Sequence, residues 1–320
     1  MRVLVLTATS RLPDFSAVYV ALSRHVEVDV RRLDKDQQRN LKAYMRNVVL
    51  AGYDRVLLDI PFKYVCKQVS LLSSWPGLLI YEEDACQNYL ATSKWYGFFS
   101  RFYKQLPGAR IVVTGASVAR RLGSEGFDVT FIPKGYDPHT LYDEHQERDI
   151  ELGFIGRTAS KAYQGRKALL DSLSACEPLQ LLRVEPGAAY RNMLNRIQYF
   201  VSADVGLGEY MAKNFEAMAC GCLLIAWRQG EEEQAIGLED GKHLLLYSSL
   251  DELRGHLAAL RADPQKAAYI AGAGRDFVAR NCSHEALAMR LVTELERDWP
   301  PMVLPSRWVW LRSISRLKRV

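Results

Sequence analysis

No uninterrupted apolar run in this sequence approaches the roughly 18 residues that a membrane-spanning helix needs. The opening, MRVLVLTATS, turns polar too soon for the apolar core of a signal peptide. A secreted or membrane-spanning chain is therefore not expected, and the first strand is expected from Arg2. The six cysteines (Cys66, Cys86, Cys176, Cys220, Cys222 and Cys282) include no C-x-x-C pair, and none has a histidine at zinc-ligand spacing. Cys220-Gly221-Cys222 is the one close pair and reads as two small buried residues around a helix end. No metal site is expected, and the cysteine usage suits a reducing, cytoplasmic compartment. The six histidines (His25, His139, His145, His243, His256, His284) show no triad-like or metal-like spacing. Acidic residues are absent from positions 301–320, where Arg307, Arg312, Arg316, Lys318 and Arg319 supply +5, the net charge of the whole chain. The rest of the chain sums to zero, so the basic body of a nucleic-acid binder is missing and no nucleic-acid partner is expected.

What is present is a regular alternation. At 320 residues the chain has room for two domains. RVLVLTA (from Arg2), VEVDVRRL (from Val26), RVLLDI (from Arg55), LLIYEED (from Leu78), ARIVVTG (from Ala109) and VTFIPKG (from Val129) read as six strands. Their apolar runs are continuous, as expected of parallel strands covered on both faces. Helices are expected between them at 15–25, 37–50, 62–74 and 117–126. The pattern breaks after residue 135, where GYDPHTLYDEHQERD holds turn formers and charges. A second series follows: ELGFIG, LQLLRV, YFVSADVGL, CLLIAW and HLLLYS, with helices expected to start near Gln164, Ala189, Met211, Leu250 and Pro264. The division is a domain over 1–135, a linker over 136–150, a second domain over 151–282, a helix over 283–299 with Ser283 as its N-cap, and a tail over 300–320. Two α/β domains in tandem leave a cleft at the carboxyl ends of their strands.

The segment ADVGLGEYMAKNFEAMACGCLLIA (203–226) carries the most chemistry. Gly206 and Gly208 permit close backbone approach to a ligand. A helix beginning near Met211 turns its free amides and positive dipole end toward the same loop, a suitable place for phosphate. Lys213 adds charge, and a carboxylate at Glu216 suits two ribose hydroxyls. The bland reading gives Glu216 a helix-favouring role, Lys213 a surface and 217–219 a core.

Phe215-Glu216-Ala217-Met218-Ala219-Cys220-Gly221 resembles the (F/L)-E-A-M-A-x-G signature of retaining GT-B glycosyltransferases. With Lys213 ahead of it, the string is closest to the spore-maturation-protein-like subgroup. The family pairs two glutamates with seven residues between them. Here Gly208 stands at the first position, and Glu209 follows with six residues before Glu216. A second likeness is Phe154-Ile155-Gly156-Arg157 with Lys161 and Gln164-Gly165-Arg166-Lys167, similar to a G-R-x-x-x-K-G phosphate-binding stretch. A third is Ile132-Pro133-Lys134-Gly135-Tyr136-Asp137, similar to the turn that ends the family's N-terminal domain. The N-terminal half matches in architecture alone.

The resemblance implies an α/β GT-B fold, two Rossmann-like domains facing a central cleft. It implies sugar transfer, with retention, from a nucleoside diphosphate sugar to a cell-surface glycan or glycolipid acceptor. No cofactor or metal is implied, and UDP is the default nucleotide on frequency alone. Donor contacts fall to Arg157, Lys161, Gly206, Gly208, Tyr210, Met211, Lys213, Asn214, Phe215 and Glu216, with Glu216 on the ribose. Lys134, Gly135 and Asp137 form the expected hinge. Glu82 and Asp84, beside Glu83 at the end of a strand, and Glu209 are the candidate catalytic carboxylates. A tail helix would place Trp310, Leu311, Ile314 and Leu317 opposite Arg312, Arg316 and Arg319, which suits an anionic membrane surface and a peripheral position on the inner face of the cytoplasmic membrane. Two other readings stay open: a nucleotide-sugar epimerase on the same fold, and a catalytically silent GT-B module that binds a glycan or a partner.

Overall fold

The structure is a computed structural model in which residues 1–75, 77–158 and 164–299 are described. Lys161 and the whole tail, including Trp310, Leu311, Arg312, Arg316 and Arg319, lie outside the described residues.

All eleven expected strands are present. Arg2–Ala8 (β1), Glu27–Leu33 (β2), Arg55–Asp59 (β3), Leu78–Glu82 (β4), Arg110–Val113 (β5) and Val129–Phe131 (β6) form one parallel sheet in the order β2-β1-β3-β4-β5-β6. Ile150–Ile155 (β7), Leu179–Leu182 (β8), Ile197–Ser202 (β9), Leu223–Trp227 (β10) and Leu245–Tyr247 (β11) form a second, in the order β11-β10-β9-β7-β8. The central strands carry the unbroken apolar runs: Val3, Leu4, Val5 and Leu6 are all fully buried, between partners such as Val28 and Val56. Each such side chain contributes about 1.5–3 kcal/mol relative to exposure. β2 lies at an edge, which explains why Asp29, Arg31 and Arg32 are tolerated in it.

Two expected helices are broken, each by a polar side chain that takes over backbone bonding. The stretch 37–50 divides at Asn40, whose non-helical backbone (φ −132°, ψ 62°) ends one turn while its side chain accepts from the Ala43 amide to start the next. The stretch 62–74 divides at Gln68. Its side chain accepts from the Leu41 amide and donates to the Gln38 and Tyr64 carbonyls, tying two segments together.

The chain crosses between domains twice, at 135–137 and 282–284, and the crossings are bonded to each other. Tyr136 N donates to the Cys282 carbonyl (3.0 Å) and His284 N donates to the Tyr136 carbonyl (2.8 Å). A Cβ on Gly135 would sit 2.6 Å from the Cys282 oxygen, so only glycine fits there. The second crossing returns the chain to the first domain. Ser283 caps the helix His284–Glu296 through the Ala286 amide, as expected. Leu287, Ala288, Leu291, Val292 and Leu295 of that helix complete the core around Val3, Val5, Leu57, Leu79 and Val112. Buried Arg110 closes its far end, donating to the Glu294 and Asp298 carbonyls with its guanidinium over the Trp299 ring.

A further contact joins the domains directly. Both oxygens of Glu232, on the helix Glu231–Ile236, accept from the amides of Ala116 and Ser117 at the start of the helix Ala116–Ser124 (2.9 and 2.8 Å). One domain thereby caps a helix of the other. Ser117 Oγ donates to the Gly208 carbonyl, and Arg120 pairs with Glu231 at 2.6 Å.

Leu291→Ala should lower stability by about 2–5 kcal/mol, because the site is fully buried. Hydrogen exchange should show the loss first in β1 and β3 of the first domain. Loss confined to the second domain would contradict the assignment of this helix to the first core.

Candidate functional site

A cavity of about 520 Å³ opens between the two domains at the carboxyl ends of both sheets. Its walls come from the first domain (Ser10, Arg11, Phe15, Glu83), the crossings (Gly135, Tyr136, Asp137, His284) and the second domain (Val184, Pro186, Tyr190, Ala212, Glu216).

On the second-domain side the helix Ala212–Ala219 begins at Met211, whose extended backbone provides no side-chain cap for the first amides. The loop before it turns at Gly206 (φ +74°) and Gly208 (φ +68°), a left-handed region that glycine enters without strain. Ala212 and Glu216 are four residues apart and share the face that lines the cavity. Glu216 Oε2 accepts from the Tyr190 hydroxyl at 2.6 Å. The charge of the carboxylate helps burial to raise the phenol's pKa well above its usual value.

Behind this helix lies buried Asp204. It accepts from Arg166 (2.5 Å), Ser202 (3.0 Å) and Asn214 (3.1 Å), with Lys213 Nζ at 3.5 Å. Burial alone would raise its pKa. Lys213 and Arg166 outweigh that and hold the carboxyl below its usual range. Lys213 also lies over the Phe154 ring, 4.4 Å from its centroid, and burial lowers its pKa. Arg166 donates to the Arg157 carbonyl, so the exposed Arg157 side chain leaves from a braced backbone. Lys167 pairs with Asp171 on the surface.

On the first-domain side, Arg11 donates to Asp59 through Nε (2.8 Å) and to Glu83 through Nη1 (2.5 Å), and its guanidinium covers the Phe15 ring. Asp59 also accepts from Thr7 (3.1 Å) and the Tyr19 hydroxyl. Burial works against the Glu83 charge, but Arg11 outweighs it and lowers that pKa. The buried Arg11 Nη2 has no protein partner.

The structure sorts the expected site residues. Glu216 lines the cavity, as do Gly135 and Asp137 from the expected hinge. Tyr210, Asn214 and Phe215 do not reach it. Tyr210 and Phe215 pack in the core, where the Tyr210 hydroxyl donates to Glu233, and Asn214 turns inward to Asp204. Helical spacing turns Asn214 and Phe215 away from the face shared by Ala212 and Glu216, and Tyr210 precedes the helix. The Gly208 amide donates to Gln229 Oε1 at 3.0 Å, so it is already committed. Met211 places its sulfur 4.0 Å from Lys134 Nζ. Lys134 itself is buried, and its Nζ lies 3.0 Å from Glu209 Oε1. Glu209 also accepts from Thr114 of the first domain (3.3 Å) and lies away from the cavity walls.

Within the acidic cluster the cavity receives Glu83, whereas Glu82 is buried beneath it and Asp84 is exposed outside the lining. Burial and then Asp84 push Glu82 up to about 8. Arg11, Tyr190 and His284 line the cavity without having been expected there, and buried Asp59 holds Arg11 from behind. Thr7, Asp59 and Glu83 end the adjacent strands β1, β3 and β4 or follow them directly, and strand order is the signal that could have found them. Among the described residues no group of three His, Cys, Asp or Glu side chains could hold a metal.

Because Glu82 is raised in the fold, it favours the folded state fully below its unfolded pKa of about 4.5, and that contribution is lost as pH rises toward about 8. Glu82→Gln should therefore flatten the decline in denaturation midpoint across that window. An unchanged slope would show that Glu82 ionises freely in the folded protein.

The glycosyl transferase-like family model matches residues 181–293. A sucrose-phosphate synthase from Thermosynechococcus elongatus superposes with a TM-score of 0.65 at 15% identity, covering 92% of this chain and 98% of that one. HepE from Anabaena gives 0.65 at 14% identity, covering 92% and 99%. The T4 phage β-glucosyltransferase gives 0.58 at 10% identity, covering 93% and 100%. No curated protein matches by sequence. The chain is a GT-B fold protein that matches the glycosyl transferase-like family over residues 181–293.

Proposed function

We propose that the protein is a glycosyltransferase that moves a sugar from a UDP-sugar to a glycan or lipid-linked acceptor, with retention at the anomeric carbon. The observation that carries this reading is the two-sided cavity, with a helix start at Ala212 and Glu216 one turn beyond it in one wall and Glu83 in the other. Structures of HepE contain UDP, glucose or UDP-glucose, and the T4 enzyme has been seen with UDP-glucose, which supports a UDP-sugar donor.

In this reading Glu216 accepts hydrogen bonds from the ribose hydroxyls while Tyr190 fixes the orientation of its carboxylate. The uncapped amides at Ala212 and the side chain of Arg157, with Lys161 from the same stretch, hold the diphosphate. Lys213 supplies positive charge from behind, within the Asp204 network. As the bond from the anomeric carbon to the diphosphate breaks, these groups stabilise the charge that develops on the leaving oxygen. The acceptor hydroxyl attacks from the same face and passes its proton to the departing phosphate. Glu83, held ionised by Arg11, accepts a hydrogen bond from the acceptor. Glu209 has a positioning role, joining the donor loop to Lys134. Transfer at the inner face of the cytoplasmic membrane, with the basic tail on the lipid, fits an acceptor of this kind.

Calorimetry against UDP, GDP, ADP and CDP tests the donor assignment, with selective UDP binding expected. Glu216→Ala and Arg157→Ala should each weaken UDP by about 10–100-fold, the loss of one charge-assisted hydrogen bond. Glu83→Gln should leave UDP affinity intact. Failure of the folded wild-type protein to bind any of the four would remove the donor reading.

A further inference from the structure

Residues 85–124 contain no Asp or Glu and six Lys or Arg. The chain as a whole is +5, residues 301–320 contribute +5 and this stretch contributes +6, which leaves −6 for everything else. The basic charge of the folded body is therefore concentrated rather than absent. The fold places much of it around one turn. Lys94, Arg101 and Lys104 are exposed, and among them stand Tyr96 (57% exposed) and Phe98 (43% exposed), either side of Gly97. Gly97 has a φ of +69°, which turns the chain sharply and leaves two aromatic rings outward. Among the described residues these are the only large exposed hydrophobic side chains within two positions of each other.

The turn is anchored. Trp95 is half-buried and packs edge-on against Phe62 (5.2 Å) and Phe98 (5.8 Å), and the Phe99 that follows stacks on Phe62 in the core. Lys94 lies over the Trp95 ring and Arg101 over Phe98, so the cationic stems run along the aromatic faces. Aromatic rings with one wet and one apolar side, ringed by snorkelling cations, suit the headgroup level of a bilayer. Acid-free surroundings suit a negatively charged one.

We propose that the Lys94–Lys104 surface docks the first domain onto an anionic phospholipid bilayer. The segment begins ten residues after Asp84, within the connection from β4 to β5 that starts at Glu83, so docking here engages the same connection that begins at the cavity wall. This surface is separate from the tail and does not depend on the donor reading.

The test uses the full-length chain in vesicle flotation, with phosphatidylcholine alone or with about 30% phosphatidylglycerol. Binding is expected to the anionic vesicles alone and to fall with added salt. The variant Lys94→Glu/Tyr96→Ser/Phe98→Ser/Arg101→Glu should bind on the order of tenfold less or weaker. Lys94→Glu/Lys104→Glu, at exposed positions alone, should show the same direction. A tail variant, Arg312→Glu/Arg316→Glu/Arg319→Glu, should retain the contribution of the loop. UDP calorimetry and thermal melting check that each variant is folded, and UDP affinity should not change. Full binding by both loop variants would overturn the proposal, as would equal binding to neutral vesicles. Capture of single-stranded RNA in preference to the anionic vesicles would also overturn it.

Discussion

The two crossings between the domains are bonded to each other through Tyr136, Cys282 and His284, and the site depends on that constraint. It sets where the walls of the cavity can stand. Gly135 is the position at which the approach is closest, and a methyl group there would displace the Cys282 carbonyl. Because the second crossing leads into a helix that completes the first domain's core, the first domain is not finished by its own contiguous residues and depends on the chain's return from the second. Sheet, crossing and cavity are thus one assembly.

The strands were legible because their apolar runs are continuous, and the helix bearing Glu216 because its letters are distinctive. The side-chain directions on that helix were less so. A resemblance marks a string such as Asn214-Phe215-Glu216 as a unit, yet helical geometry sends only one of the three toward the cavity. The acidic cluster shows the same difficulty at a strand end. Glu82 and Glu83 are neighbours in sequence and face opposite surroundings, the first buried beside Asp84 and the second beside Arg11. Which carboxylate meets the cavity depends on Arg11, a long-range partner 72 positions away that no local pattern could name. The break at Gln68 has a related cause, since its side chain serves backbone groups of another segment, whereas Asn40 breaks its helix locally by capping the next turn.

The ionised groups near the cavity are held by specific partners. Asp204 carries Arg166 and Lys213, Asp59 and Glu83 share Arg11, and Glu209 holds Lys134. Pairs of this kind contribute little net stability, because desolvation offsets much of the attraction. What they provide is direction. A carboxylate fixed at two or three points presents its remaining lone pair to one place, which is what a binding wall needs.

The cap that Glu232 makes on the Ala116 and Ser117 amides has a consequence for motion. A helix capped by its own chain keeps its cap when domains move apart, whereas this one loses it. The first increment of separation exposes a carboxylate and two amides together, and the Arg120–Glu231 and Ser117–Gly208 contacts go with them. Parting is therefore an all-or-none event with a threshold, and a gradual breathing of the cleft along this seam is suppressed.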